Sequence, residues 1–124
     1  MKEKNVLVLG LGRFGSALAK KLFEKGVEVM AVDTEYTKVQ RMADQVTYAA
    51  QADMTDEEAM KDLGIKNFDI AVIATGSNIE ASIEATLLCK DAGITTVIAK
   101  ATTATHERIL EKIGADKIIF PELD

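Results

Sequence analysis

Gly10, Gly12 and Gly15 are the first residues in this chain whose spacing could do chemistry. They stand in Gly10-Leu11-Gly12-Arg13-Phe14-Gly15, directly after the apolar run Val6-Leu7-Val8-Leu9 and at the opening of a stretch with helical spacing. In that strand–turn–helix setting the pattern suits a pyrophosphate. Gly10 permits the tight turn, Gly12 lets the phosphates approach the backbone, and Gly15 lets helix and strand pack closely. The helix N-terminus adds free N–H groups that favour an anion. Outside that setting the pattern is weak, and a glycine-rich turn that holds no ligand is the competing reading. Arg13 strengthens the anion reading. A cation in the first helical turn opposes the macrodipole at a cost of about 0.3–1 kcal/mol. A phosphate beside it reverses that sign and accepts a bidentate contact. An arginine swung out into solvent is the alternative.

Asp33 ends the second apolar run, 18 positions after Gly15. A carboxylate at that point accepts the ribose hydroxyls of an adenosine, and with Glu35 close by it repels a 2′-phosphate, so NADP is disfavoured. Its structural alternative is a helix N-cap, a job Thr34 could do equally well. Asp53, after the third apolar run, reads equally as a group facing the adenine edge and as an ordinary loop aspartate. Thr75-Gly76-Ser77-Asn78 follows the fourth run. Gly76 permits backbone approach there, and Asn78 serves as well as a helix cap. Lys100 closes the fifth run within reach of a phosphate, or else snorkels to water.

These positions work together only if short strands present them along one edge. Strands are predicted at 6–9, 27–33, 46–50, 70–74, 97–100 and 118–120, and helices at 12–25, 35–44, 56–63, 78–92 and 105–113. Ile70-Ala71-Val72-Ile73-Ala74 is apolar throughout, as expected of a strand buried on both faces. Gly26, Gly64, Gly93 and Gly114 each follow a predicted helix, where a left-handed residue ends it well. Thr55 with Glu58 three residues on reads as a capping box. The alternation predicts an α/β fold: a Rossmann-like, doubly wound parallel sheet of about six strands in order 3-2-1-4-5-6.

Composition narrows the function further. The chain has 124 residues, 48% hydrophobic and 28% charged, with a net charge of −5, which suits one soluble domain and disfavours a nucleic-acid surface. Lys20, Lys21 and Lys25 are interleaved with Glu24 and Glu28 and read as a solvated face. No apolar run approaches the roughly 18 residues of a membrane span. The start lacks a signal-peptide layout, so the cytoplasm is the expected location. Cys89, the single cysteine, excludes a disulfide framework within one chain and reads as a small core or interface hydrophobe. His106, the single histidine, has no evident nucleophile partner and is expected at the surface. Helix 78–92 is apolar over more than one face, which predicts contact beyond its own sheet, with another subunit.

Beyond the glycine motif, Val32-Asp33, Ala52-Asp53-Met54-Thr55-Asp56, Leu63-Gly64-Ile65, Asn67-Phe68-Asp69, Asn78-Ile79-Glu80-Ala81-Ser82, Lys100-Ala101, Lys112-Ile113-Gly114-Ala115-Asp116 and Phe120-Pro121-Glu122 occur in order. The set resembles the nucleotide-binding RCK domain (also called KTN or TrkA-N) of bacterial potassium channels and transporters, most nearly the regulatory subunits of Ktr- and Trk-type uptake systems. The resemblance covers essentially the whole chain. It implies one RCK domain over 1–124, without the carboxyl-terminal regulatory domain that such subunits usually carry. It also implies ATP, ADP or NAD(H) in the crevice, and homodimers that assemble into larger rings, typically octamers, against a membrane potassium-translocating subunit. Membrane association would be peripheral, through that subunit. By position, Gly10, Gly12, Arg13, Phe14 and Gly15 would form the phosphate loop, and Asp33, with Thr34 beside it, would hold the ribose. Asp53 and Met54 would flank the adenine, while Thr75, Gly76, Asn78 and Lys100 complete the pocket. Glu122 would join a divalent cation at a subunit interface. The implied role is a regulatory binding module and not an enzyme. The alternative is the cofactor-binding domain of an NAD-dependent oxidoreductase, which would also need a substrate pocket and an acid/base group.

Overall fold

Successive residues of strand β1 (Asn5–Leu9) point to opposite faces, Val6 and Val8 into one apolar layer and Leu7 and Leu9 into another. Burial on both faces is why the strand is apolar without alternation. The computed structural model describes residues 4–121. Within them, β1 is joined by β2 (Glu28–Asp33), β3 (Tyr48–Gln51), β4 (Ile70–Ile73), β5 (Thr96–Lys100) and β6 (Lys117–Ile119). All pairings are parallel, in the order β3-β2-β1-β4-β5-β6, as the βα alternation predicts. Helices α1 (Arg13–Glu24) and α2 (Tyr36–Met42) cover one face through Ala19, Val39 and Met42. Helices α3 (Glu57–Asp62), α4 (Ile79–Asp91) and α5 (Ala104–Lys112) cover the other through Met60, Ala85, Cys89 and Leu110.

Three local features differ from the sequence expectation, each for a physical reason. Strand β3 begins at Tyr48, not at 46, because the Thr47 hydroxyl accepts the Val29 N–H at 2.9 Å where a ladder carbonyl would otherwise stand. Val46 instead packs into the layer with α2. A 3₁₀ turn at Ile65–Asn67 follows α3, tied to the start of β1 by Asn5, whose side chain donates to the Asn67 carbonyl at 3.0 Å and accepts the Asp69 N–H at 2.8 Å.

The third is the cap of α3, which is Asp56 and not Thr55. The Asp56 carboxylate accepts the N–H groups of Glu58 and Ala59 at 3.0 and 3.3 Å. Thr55 turns back to Asp53, donating to its Oδ1 through the N–H at 2.9 Å and the hydroxyl at 2.7 Å. Asp56→Ala is therefore expected to cost about 1 kcal/mol of stability in urea denaturation. Thr55→Ala, which leaves the cap in place, should cost less, and equal losses would sink this assignment.

Cys89 is fully buried against the sheet, and burial pushes its thiol up to about 12, so it stays protonated at neutral pH and behaves as a core hydrophobe. On the same helix Ile79 and Leu87 are exposed, so the apolar width of α4 exceeds what its own sheet covers. No helix among the described residues is long and apolar enough to cross a membrane.

Candidate functional site

The chain leaves the sheet centre in opposite directions from β1 and β4, and a crevice of about 450 Å³ opens outside the carboxyl ends of the strands there. Gly10, Asp33, Thr34, Asp53, Met54, Thr75 and Asn78 all line it, so residues scattered over 69 positions of sequence (10 to 78) meet in one place. Gly12, Arg13, Phe14, Gly15, Gly76 and Lys100 do not line it.

The three glycines of the first turn serve different ends. Gly10 has φ of +102°, donates its N–H to the Val32 carbonyl at 2.8 Å, and would place a Cβ 2.8 Å from the Thr75 nitrogen. A Cβ on Gly15 would collide with the Gly10 carbonyl oxygen and press on Ala74. Both are needed for the close seating of α1 against the turn and β4. Around Gly12 a Cβ would meet nothing within 4 Å, so no contact within the fold calls for glycine there.

Asp33 is buried, 8% exposed, and anchors two loops at once. Its Oδ2 accepts the Leu11 N–H at 2.7 Å and its Oδ1 the Glu35 N–H at 2.9 Å. It is not the cap of α2; that position belongs to Glu35, and neither Asp33 nor Thr34 bonds the helix amides as a side-chain cap. Each carboxylate oxygen accepts one of these bonds and retains the capacity for a second. Asp53 is held below the usual carboxylate range, first by the Thr55 hydroxyl and then by the Thr55 N–H, so it is ionised in the crevice wall at neutral pH. Asn78 both lines the crevice and caps α4, its Oδ1 accepting the Ala81 N–H at 3.0 Å.

Lys100 lies across Gly76. A Cβ on that glycine would approach the lysine Cε and Nζ within 2.7 and 2.9 Å and the Thr102 methyl within 3.3 Å. The Lys100 ammonium also sits 6.0 Å from the centre of the Phe14 ring, at the outer limit of a cation–π contact. Arg13 is exposed at the first position of α1 and forms no ion pair among the described residues. Glu122 lies outside the described residues. Within them no three metal-ligating side chains converge.

Sequence reading missed two groups. Glu80 and Glu84 add carboxylates to the crevice wall from α4, and their i,i+4 spacing two residues past a capping asparagine was the available signal. His106 is not at the surface: it is 1% exposed, with Nδ1 accepting the Thr102 N–H at 3.2 Å and Nε2 3.1 Å from the Ser82 hydroxyl. A second groove of about 400 Å³, between α3 and α4 and containing Met60, Ile65 and Leu88, includes none of the candidate residues.

A doubly wound parallel sheet with a glycine-rich turn and an acidic β2 terminus meeting at its switch point defines a Rossmann-type domain. The chain belongs to the TrkA-N domain family, whose model matches residues 6–121. It is 48% identical to Ktr system potassium uptake protein C of Bacillus subtilis (strain 168), over 98% of this chain and 55% of that protein. It is 45% identical to Ktr system potassium uptake protein A of the same strain, over 100% of this chain and 56% of that protein. The chain thus spans about half the length of the curated relatives it matches.

Among solved structures, it resembles the TrkA-N domain of the inner membrane protein ybaL from Escherichia coli, with a TM-score of 0.87 at 20% identity over 98% of this chain and 90% of that one. The GsuK channel bound to NAD matches with a TM-score of 0.80 at 16% identity, over 95% of this chain and 21% of that one. The Shewanella denitrificans Kef CTD in AMP-bound form matches with a TM-score of 0.81 at 19% identity, over 94% and 71%. At these identities the structural likenesses establish the fold.

Proposed function

We propose that this chain is the adenine-nucleotide-sensing domain of a potassium uptake regulator, binding ATP and ADP or NAD(H) in the crevice at the β1/β4 switch point. The observation that carries the reading is the doubly anchored Asp33 carboxylate facing the same crevice as Gly10, Asp53, Met54 and Thr75. The Ktr relatives, which are potassium uptake proteins, support the physiological setting, and the NAD-bound GsuK channel and AMP-bound Kef domain support the ligand class.

Charge orients the ligand. Asp33, Glu35, Asp53, Glu80 and Glu84 line the crevice, and Lys38, the cation among the lining residues, is engaged by Glu35 at 2.7 Å. Phosphates are repelled from that wall and drawn to the α1 N-terminus, where Arg13 is the first helical residue and the Lys100 ammonium lies 6.0 Å from the centre of the Phe14 ring. The adenosine then occupies the acidic end, with ribose on Asp33, Thr34 beside it, and adenine between Asp53 and Met54. Asp33 and Glu35 together disfavour a 2′-phosphate, hence NADP.

In this reading the chain is a binding module. The imidazole of His106 is buried between α4 and α5 with both nitrogens engaged, which leaves no histidine acid/base for a dehydrogenase at the crevice. The domain pairs with a second copy, α4 offering Ile79 and Leu87, and builds a larger ring on a membrane potassium-translocating subunit at the cytoplasmic face. Rival nucleotides can move the gate only by binding two ring shapes with different affinity. A divalent cation at Glu122, and a second, carboxyl-terminal domain of the kind the relatives' extra length accommodates, belong to the same proposal.

The test is a thermal-shift panel with calorimetry against ATP, ADP, AMP, NAD, NADH and NADPH. A ligand at a hundredfold its Kd stabilises by about 2.7 kcal/mol. Shifts from ATP and ADP mark an energy sensor and shifts from NADH a redox sensor, with NADPH weakest. No shift from any of them removes the reading. Arg13→Ala is expected to change the ATP/ADP affinity ratio about fivefold or more, because a charge-assisted contact to the terminal phosphate distinguishes them. An unchanged ratio would dismiss Arg13 as the phosphate reader.

A further inference from the structure

His106 is the buried group that the nucleotide reading leaves unused. It sits on the first turn of α5, whose cap is Thr103, the Thr103 hydroxyl accepting the His106 N–H at 3.0 Å. Its protonation state follows from its partners. A backbone N–H can only donate, so the Thr102 N–H at 3.2 Å requires an unprotonated Nδ1. The ring proton is therefore on Nε2, where it donates to the Ser82 hydroxyl at 3.1 Å. Burial alone pushes the imidazole below its usual range, which keeps it in this neutral form at pH 7. The polar groups bonded to it, Ser82 on α4 with Thr102 and Thr103 before α5, are uncharged.

What this ring holds is one side of the crevice loop. Thr102 follows β5 by two residues, and its methyl, with the Lys100 side chain, lies against Gly76. Gly76 stands between Thr75 and Ser77, which line the crevice. The Thr102 amide is thus fixed by an imidazole acceptor while its side chain fixes the loop after β4. The other ring nitrogen reaches Ser82 on α4, the helix that supplies Glu80, Ala81 and Glu84 to the crevice wall.

We propose that His106 is a positioning residue for the nucleotide site, acting through its Nδ1 acceptor on the Thr102 amide to hold Thr102 and Lys100 against the Gly76 loop. This deepens the nucleotide-binding reading and rests on it. The two nitrogens have distinct duties: Nδ1 sets the geometry of the site, and Nε2 only joins α5 to α4.

Two conservative substitutions separate those duties. An asparagine amide oxygen falls where Nδ1 lies, whereas a glutamine amide nitrogen falls where Nε2 lies. In the intact chain, His106→Asn should keep ADP affinity within about threefold of the parent, and His106→Gln should lose about tenfold, the scale of one hydrogen bond. Amide exchange at Thr102 should stay slow in the parent and in His106→Asn and become fast in His106→Gln, with or without ADP. Melting temperatures should fall by similar amounts in both, because each loses one bond. Equal ADP affinities in two folded variants would overturn the proposal, as would slow Thr102 exchange in His106→Gln. If either substitution prevents folding, Ser82→Ala takes its place. It removes the Nε2 partner, so affinity should hold within about threefold, and a tenfold loss overturns the proposal. A parent chain that binds no adenine nucleotide fails earlier, at the function reading itself, and is recognised by the parent titration alone.

Discussion

Gly12→Ala is expected to leave the fold intact and remove nucleotide binding, while Gly15→Ala is expected to damage the fold itself. At Gly12 the backbone has φ −73° and ψ −163°, which alanine adopts freely, and a Cβ there meets nothing within 4 Å. Alanine is a poorer N-cap than glycine, but it also restricts the unfolded chain, and these effects are each about 0.5–1 kcal/mol and opposite in sign. The melting temperature should stay within about 3 °C. In the proposed nucleotide reading the same methyl group projects where a pyrophosphate approaches the backbone, so ADP affinity should fall roughly a hundredfold or more.

Gly15→Ala meets the protein from inside. Its Cβ would overlap the Gly10 carbonyl oxygen and approach the Ala74 Cβ at 3.0 Å, and the first of these is backbone that cannot swing away. Overpacking of this kind costs about 1–3 kcal/mol, and rigid backbone puts it at the upper end or beyond. For a chain of this length that lowers the melting temperature by about 10 °C. Scanning calorimetry with ADP titrations reads both variants. A stable, tightly binding Gly12→Ala would show that no phosphate passes over that residue.

The sheet order was legible because its determinants are local. Each βα unit carries its own apolar run and its own helix, four of the five described helices are followed by a glycine, and right-handed crossovers leave few ways to assemble them. The convergence of Gly10, Asp33, Asp53 and Thr75 was legible for the same reason, since each stands at or just after the carboxyl end of a strand and those ends share one edge. What escaped depends on side chains choosing among near neighbours or distant partners. Thr55 and Asp56 are both good caps, and the choice fell to Asp56 because Thr55 is engaged by Asp53. His106 pairs with Ser82 across 24 residues. No periodicity in α5 encodes that partner, so a lone histidine near a helix start reads as solvent-facing until α4 is placed over it. Likewise, Glu80 and Glu84 join the candidate residues only once the crevice is seen to run along α4.

The second large effect is expected at Asp33, where fold and ligand compete for one carboxylate. Asp33→Asn offers one oxygen where two N–H donors, Leu11 at 2.7 Å and Glu35 at 2.9 Å, now find two. One bond is lost and a buried donor faces the amide nitrogen, a cost of about 1–3 kcal/mol. ADP affinity should fall roughly thirtyfold, because the amide cannot accept from both ribose hydroxyls and the turn after β1 loses its tether. A loss of stability alone could produce some weakening, so the decisive readout is selectivity. The wild-type carboxylate repels a 2′-phosphate, and the amide does not. The affinity of adenosine 2′,5′-bisphosphate relative to AMP should therefore rise about tenfold in Asp33→Asn, even as both bind more weakly. If the two ligands weaken in parallel, Asp33 is a loop anchor only, and the ribose must be held elsewhere in the crevice.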